Sequence, residues 1–317
     1  MSTCLLVDVS NMAHRSFHAD AASAKRESQN TGAPVSPLAG PDGFPTGVIH
    51  GCLRTLLGLR ERHKDADMIA IFDSGRPQRR LDLLPSYKGN RPKSDPSLAD
   101  QIQDLFEILP SFGIPTVKEH GVEADDIIIS FAGKARHDRV IIVGDDKDLG
   151  QAVTDRVFQL KSPKTRGAEW ALHGPDDIKA RLGVPPEFVP DYLALTGDSS
   201  DNIPGAPGVG ATYAVKFITA FGGIDNILAN ADRIEPERFR KILSENAELI
   251  RTCLTITRPL TCESEVPTPV EPDHDRVSNY LAKRGLRSIA AKFFGAEPLP
   301  KPVPSKPKPL YDQGILF

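Results

Sequence analysis

The run Cys4-Leu5-Leu6-Val7-Asp8 is continuously apolar and then stops on a carboxylate. Too short for a helix and lacking polar alternation, it predicts a strand buried on both faces, as in a parallel sheet. The pattern recurs, and the candidate strands are 4–9, 68–72, 114–117 and 140–143. Between them, 48–62, 97–109 and 123–135 carry apolar residues at helical spacing. This β-α-β rhythm predicts an α/β domain, a mostly parallel sheet with helices on both faces. Past about residue 170 strand signals fade, and 175–180, 186–195, 209–221, 236–253 and 277–294 read as helices. Residues 19–45 show no periodicity and are assigned no structure, and 298–309 alternate proline with lysine as a semi-rigid spacer.

At 317 residues with 39% hydrophobic and 26% charged residues, the chain has the composition of a globular protein able to bury a full core. No stretch reaches the roughly 18 apolar residues of a membrane helix. The four cysteines form no CxxC or Cys/His pattern, which argues against structural zinc and a disulfide framework and points to a reducing cytoplasm. A net charge of −3 argues against a simple basic coat for nucleic acid.

The placement of the acids says more. Asp8 and Asp73 each end an apolar run, at the carboxyl edge where open α/β sheets bind ligands. Glu123, Asp125 and Asp126 open a helix, Asp145, Asp146 and Asp148 follow the strand at 140–143, and Asp198 and Asp201 begin the helical region. Any one of them is explained equally well as a helix cap. As a set they repel unless cations bind, and oxygen ligands without His or Cys suit Mg²⁺ or Mn²⁺. Two such ions about 4 Å apart activate water and stabilise the leaving oxygen of a phosphodiester. Taking these ten acids from the 42 leaves 32 against 39 bases, a body of +7 suited to a polyanion.

Two further segments bind phosphate in this reading. Gly208-Val209-Gly210, with Lys216 one turn on, resembles a helix-hairpin-helix turn that grips duplex backbone without reading sequence. The segment 76–93 interleaves bases, among them Arg79, Arg80, Lys88 and Arg91, with Tyr87 as a stacking face. A solvated basic loop is the plain alternative, outweighed by its position just after Asp73.

Together these residues resemble the 5′-nuclease superfamily of flap endonucleases, phage 5′-3′ exonucleases and the nuclease domain of bacterial DNA polymerase I. The matching runs are Leu6-Val7-Asp8 with His14-Arg15-Ser16-Phe17-His18, Phe72-Asp73, Arg80 before Tyr87-Lys88 and Arg91, Gly121-Val122-Glu123-Ala124-Asp125-Asp126, Asp146-Lys147-Asp148, and the Gly197 to Gly210 motif. The resemblance implies a PIN-like domain over 1–170 with an arch at about 76–100. It further implies a helical DNA-binding region over 171–297, with its hairpin motif at 197–222, and a tail over 298–317. Asp8, Asp73, Glu123, Asp125 and Asp126 would form one metal cluster, and Asp146, Asp148, Asp198 and Asp201 a second. Lys88 and Arg91 would steer the scissile phosphate, with Asp146 among the catalytic groups and Tyr87 stacking near the 5′ end. Arg15, Arg79, Arg80, Gly208, Gly210 and Lys216 would bind DNA, and carbonyls around 205–210 would hold K⁺. Asp145, an extra acid, and His50, where an aromatic is usual, depart from the family pattern.

The implied activity is 5′-3′ exonuclease and structure-specific endonuclease cleavage of flaps, nicks and RNA–DNA primers, leaving 5′-phosphate, by a cytoplasmic monomer. A PIN-type ribonuclease shares the carboxylates but gives no reason for the duplex-binding motif. An inactive DNA-binding scaffold would be expected to have lost carboxylates, and no expected position is empty. At the terminus Gln313, Leu316 and Phe317 resemble a sliding-clamp-binding peptide, and an apolar chain end of no function reads equally well.

Overall fold

The structure, a computed structural model, describes residues 1–32, 37–91, 95–163, 165 and 168–295. Strand β1 (Thr3–Asp8) is central, with β2 (Ala66–Ile71) and β3 (Thr116–Val117) on one side. On its other side follow β4 (Arg139–Val143), β5 (Val157–Lys161) and β6 (Ala171–His173). The order β3-β2-β1-β4-β5-β6 is parallel throughout except for antiparallel β6. Leu5 lies level with Met68 and Ile141 across the register.

The two-residue strand period sorts the core into two layers. Leu5, Val7, Met68, Ala70, Ile141 and Val143 face α1 (Val9–Thr31) and α2 (Gly47–Arg62). Cys4, Leu6, Ile69, Ile71, Val140 and Ile142 face α5 (Ala124–Lys134), meeting Ile127, Ile128 and Phe131. Parallel pairing aims the ends of β1, β2 and β4 the same way. Asp8, Asp73 and Asp146 therefore emerge along one edge, where the chain order switches from one side of β1 to the other.

Between β2 and β3, α3 (Gln78–Leu83) is short and α4 begins at Pro96 and ends at Ile108. The helical module contains α6 (Pro175–Leu182), α7 (Val189–Thr196), α8 (Ala211–Phe221), α9 (Ile224–Ala229), α10 (Arg238–Glu245) and α11 (Ala247–Thr257). Its own core joins Leu195, Phe217, Phe239 and Ile250, and Tyr87 of the nuclease layer plugs into it.

Four expectations are corrected. Residues 19–31 are helical: α1 runs to Thr31 and ends at Gly32 in a left-handed cap (φ 70°). After Ala24 it has no core to face, so helix-forming residues such as Lys25, Arg26, Glu27 and Gln29 sustain it without amphipathic spacing. The strands β5 and β6 were not expected. In β5, the polar Gln159 interrupts an apolar run, yet it is fully buried. The expected helix at 236–253 breaks at Asn246, whose side-chain amide donates to the Ile242 carbonyl at 2.7 Å. The one at 277–294 breaks at left-handed Gly285 into α12 (His274–Arg284) and α13 (Arg287–Phe294).

The division expected at 170–171 also meets a difference. Beyond residue 170, β6 joins the sheet, and α12 and α13 return to the nuclease layer, burying Val277, Leu281 and Ile289 in its core. The tail residues Gln313, Leu316 and Phe317, and Lys93 of the basic segment, lie outside the described residues. Among the described residues no helix is long and apolar enough to cross a membrane.

Candidate metal centre and nucleic-acid interface

Three carboxylates at the sheet edge, Asp8, Asp73 and Asp146, accept from backbone amides. Asp8 caps α1, accepting from the Asn11 amide at 2.9 Å. The Asp73 amide donates to Ser10 Oγ at 2.8 Å, and its carboxylate accepts from the Ala124 amide at 2.8 Å, which ties β2 to the start of α5. Asp146 accepts from the Asp148 amide at 3.1 Å. Buried Gln159 donates to the carbonyls of Gly144 (3.0 Å) and Asp146 (2.6 Å), bracing that loop. Asp8, Asp73, Glu123, Asp125 and Asp146 line one cleft of about 540 Å³ together with Lys88 and Arg91.

Asp198 and Asp201 come from a closed loop of the helical module. The amides of Asp198 and Ile203 each donate to the other's carbonyl at 2.8 Å. Gly197 makes this possible: its φ is +74°, and a Cβ there would lie 2.7 Å from the Ile203 carbonyl oxygen. Carboxylate oxygens of Asp148, Asp198 and Asp201 lie within 4.8 Å of one another.

Crowding these acids has a measurable consequence. Burial first, then the charges of Asp73 and Asp146, push the Asp8 carboxyl up to about 8. Burial and the acids Asp146, Asp198 and Asp201 do the same to Asp148, and Asp125 is raised by burial, Asp8, Asp146 and Asp73. Asp198 is the exception. Burial would raise it, but the Ser200 hydroxyl (2.6 Å) and Lys147 (3.0 Å) outweigh that and hold it low.

The chemistry fits divalent cations. The donors are all carboxylate oxygens, and Asp148 Oδ1 is buried without a hydrogen-bond partner, an acceptor that only a cation or water would satisfy. Folded protein free of metal retains protons on Asp8 and Asp148 that the unfolded chain releases near the ordinary value of 3.8. Because the folded state then binds more protons, stability is expected to fall as pH rises from about 4 to about 8. Millimolar Mg²⁺ should restore it most at the upper end. Melting temperatures at both ends, in EDTA and in Mg²⁺, check this; stability rising with pH in EDTA would contradict it.

The basic segment behaves differently from expectation. Arg80 is not a DNA contact. It is 5% exposed and forks onto Asp126 with two bonds of 2.7 Å, reaches Glu123 at 2.6 Å, and donates to the carbonyls of Ile256 (3.0 Å) and Arg258 (3.2 Å). Asp126 is therefore not part of the metal cluster. It is 1% exposed, and both its oxygens are taken by Arg80, with the amides of Leu260 (2.8 Å) and Glu123 (3.3 Å) adding two further bonds. Tyr87 is not a stacking face either: it is 5% exposed, and its hydroxyl donates to Glu123 (2.9 Å) and Asp201 (3.2 Å). Glu123 lines the cleft, but its oxygens accept from Arg80, Tyr87 and Lys88.

Lys88 and Arg91 do reach the site, paired with Glu123 and Asp201 respectively. The Lys88 backbone is left-handed (φ 53°), a conformation costing about 1 kcal/mol or more for a non-glycine residue. It is held there by neighbours. The Lys88 amide donates to the Asp201 carbonyl (2.9 Å), Asn90 to the Ser199 carbonyl (2.8 Å) and Asn202 to the Ser86 carbonyl (2.6 Å). The segment is thus laced to the loop carrying Asp198 and Asp201.

Asp145 points away from the cluster: it pairs with Arg15 and accepts from the Ser162 amide (2.9 Å) and hydroxyl (2.6 Å). Arg79, Gly208, Gly210 and Lys216 are exposed. The start of α8 has no side-chain cap, and space is open around Gly208 and Gly210. Sequence reasoning missed Lys147, Ser10 and Gln159 as supports of the acids. A glutamine inside Val157-Phe158-Gln159-Leu160 was the one available signal.

Two family models cover most of the chain: the 5′-3′ exonuclease N-terminal resolvase-like domain matches residues 3–183, and the 5′-3′ exonuclease C-terminal SAM fold matches 184–280. The chain is 31% identical over 293 residues to a 5′-3′ exonuclease of Aquifex aeolicus, covering 91% of this chain and 94% of that protein. It is 34% identical to DNA polymerase I of Pseudomonas aeruginosa over 85% of its own length, but only 28% of that protein is covered. Its fold is similar to the bacteriophage T5 flap endonuclease in complex with DNA and metal ions, at 20% identity and a TM-score of 0.62, covering 93% of this chain and 97% of that one. A T5 5′-exonuclease structure with bound zinc, at 23% identity over 80% of this chain and 89% of that one, also gives 0.62.

Proposed function

Because the chain belongs to the 5′-3′ exonuclease family, we propose that it hydrolyses phosphodiesters of flapped, nicked and primer-bearing duplex DNA, using two Mg²⁺ or Mn²⁺ ions and leaving 5′-phosphate. The observation that carries this reading is the meeting of two acidic groups from different parts of the fold. Asp8, Asp73, Asp125 and Asp146 come from the sheet edge, and Asp148, Asp198 and Asp201 gather beside them where two modules join.

Bound ions there would supply electrophilic stabilisation of the phosphate and an activated water. The chain's own residues do the rest. Asp8, Asp125 and Asp146 would hold one ion, and Asp148, Asp198 and Asp201 the other. Arg91 now sits on Asp201, a carboxylate that a bound ion would occupy, and Lys88 on Glu123, with Asp201 only 3.5 Å away. Released from Glu123 and Asp201, they would turn to the scissile phosphate and offset its developing charge. The uncapped start of α8 and Lys216 would grip duplex phosphates, with K⁺ at the Gly205 to Gly210 turn and Arg79 adding a contact. We place the protein in the cytoplasm as a monomer, with the chain end reaching a sliding clamp; buried free cysteines support a reducing compartment.

A 5′-labelled flap, a nicked duplex and a primer hybrid, each incubated with Mg²⁺ and with EDTA, test the reading through product lengths. Cleavage that persists in EDTA, or none in Mg²⁺, overturns it. Lys88→Ala should lower kcat about 10²-fold or more with little change in binding, since it removes charge needed only as the bond breaks. A fall in affinity alone would refute that role.

A further inference from the structure

Beside the carboxylate cleft lies a second cavity of about 750 Å³, bounded by α1, α2 and the end of β4, which the proposed chemistry does not use. The two spaces share Asp8, Asn11 and His18, so a strand crossing the acids can enter both. The volume is that of a small-ligand pocket.

Its walls are chemically mixed. Asp145, an acid at its edge, is already matched by Arg15 and Ser162, and Asp20 accepts from the Leu38 amide at 3.2 Å. Arg54 of α2 is exposed and has no carboxylate in ion-pairing reach among the described residues. Trp170, half-buried against the core, supplies an apolar wall. An unmatched guanidinium and an indole in one cavity suit an anion attached to a flat apolar body.

We propose that this cavity receives one unpaired nucleotide of the strand being cut, with its phosphate at Arg54 and its base against Trp170. The proposal rests on the nuclease reading, because the cavity opens on the same Asp8. Aromatic stacking tolerates any base, which suits an enzyme that recognises strand ends by shape.

Trp170 is the sole tryptophan of the chain, so its fluorescence reports on this cavity directly. In EDTA, where nothing is cleaved, dAMP and dTMP should each change Trp170 emission saturably, and Arg54→Ala should weaken both at least about tenfold. Arg54 is exposed, so the variant should fold, and an unchanged melting temperature verifies this. No saturable change with either nucleotide, an equal change with inorganic phosphate alone, or an affinity indifferent to Arg54→Ala would each overturn the proposal. Flap cleavage in Mg²⁺ is measured separately. Failed titration with intact cleavage removes only the cavity, and intact titration without cleavage removes the nuclease reading together with the assignment of the bound nucleotide to a cut strand.

Discussion

Asp146→Asn is expected to abolish flap hydrolysis, with a loss of about 10³-fold or more, equivalent to roughly 4 kcal/mol of transition-state stabilisation. Affinity for flap DNA in EDTA should change little, because the elements proposed to grip the duplex, the start of α8 and Lys216, lie elsewhere. The same substitution should stabilise the protein when metal is withheld. Asp146 raises the carboxyls of Asp8, Asp125 and Asp148 through like-charge repulsion, and a neutral amide relieves all three at once. A melting temperature in EDTA higher by about 2–4 °C, the response to about 1 kcal/mol, is the expected signature. An inactive and simultaneously less stable variant would mean that Asp146 supports structure. Full activity in Mg²⁺ would remove it from the catalytic set.

Arg80→Ala is expected to be the most destabilising single change in the basic segment. It strands Asp126 in the interior with the Leu260 and Glu123 amides as its remaining donors, and leaves the Ile256 and Arg258 carbonyls short of theirs. Removing one partner of a buried pair costs about 3–5 kcal/mol, a fall in melting temperature on the order of 10 °C. Its neighbour supplies the control. Arg79→Ala should leave stability unchanged and reduce the salt dependence of DNA binding by about one unit of slope. Adjacent helical residues point about 100° apart, so one arginine is buried and the next solvated. Equal effects on melting from both would contradict this division.

The alternation of Leu5 and Val7 against Cys4 and Leu6, and the acids that end the strands, were legible because burial and parallel pairing leave a local pattern in the chain. The sheet edge and most of the carboxylates gathered there follow from it. The helix at 19–31 was illegible for the opposite reason: with no core to face, it carries no stripe of apolar residues. In β5, Gln159 disguised a buried strand by using its polar group to brace the Asp146 loop.

The basic segment shows where local reading ends. Nothing in Arg79-Arg80 distinguishes the two, and nothing near Tyr87 announces that the helical module will bury it. Sequence alone determined the layered sheet, the edge at which Asp8, Asp73 and Asp146 emerge, and the hard-cation chemistry of their oxygens. It took the packing of distant segments to commit Asp126 to Arg80, to turn Asp145 aside to Arg15, and to bring Asp198 and Asp201 from another module to stand by Asp148. An acid's identity is set by the chain, whereas its counter-ion is set by whichever distant group packs within about 4 Å, where charges interact strongly.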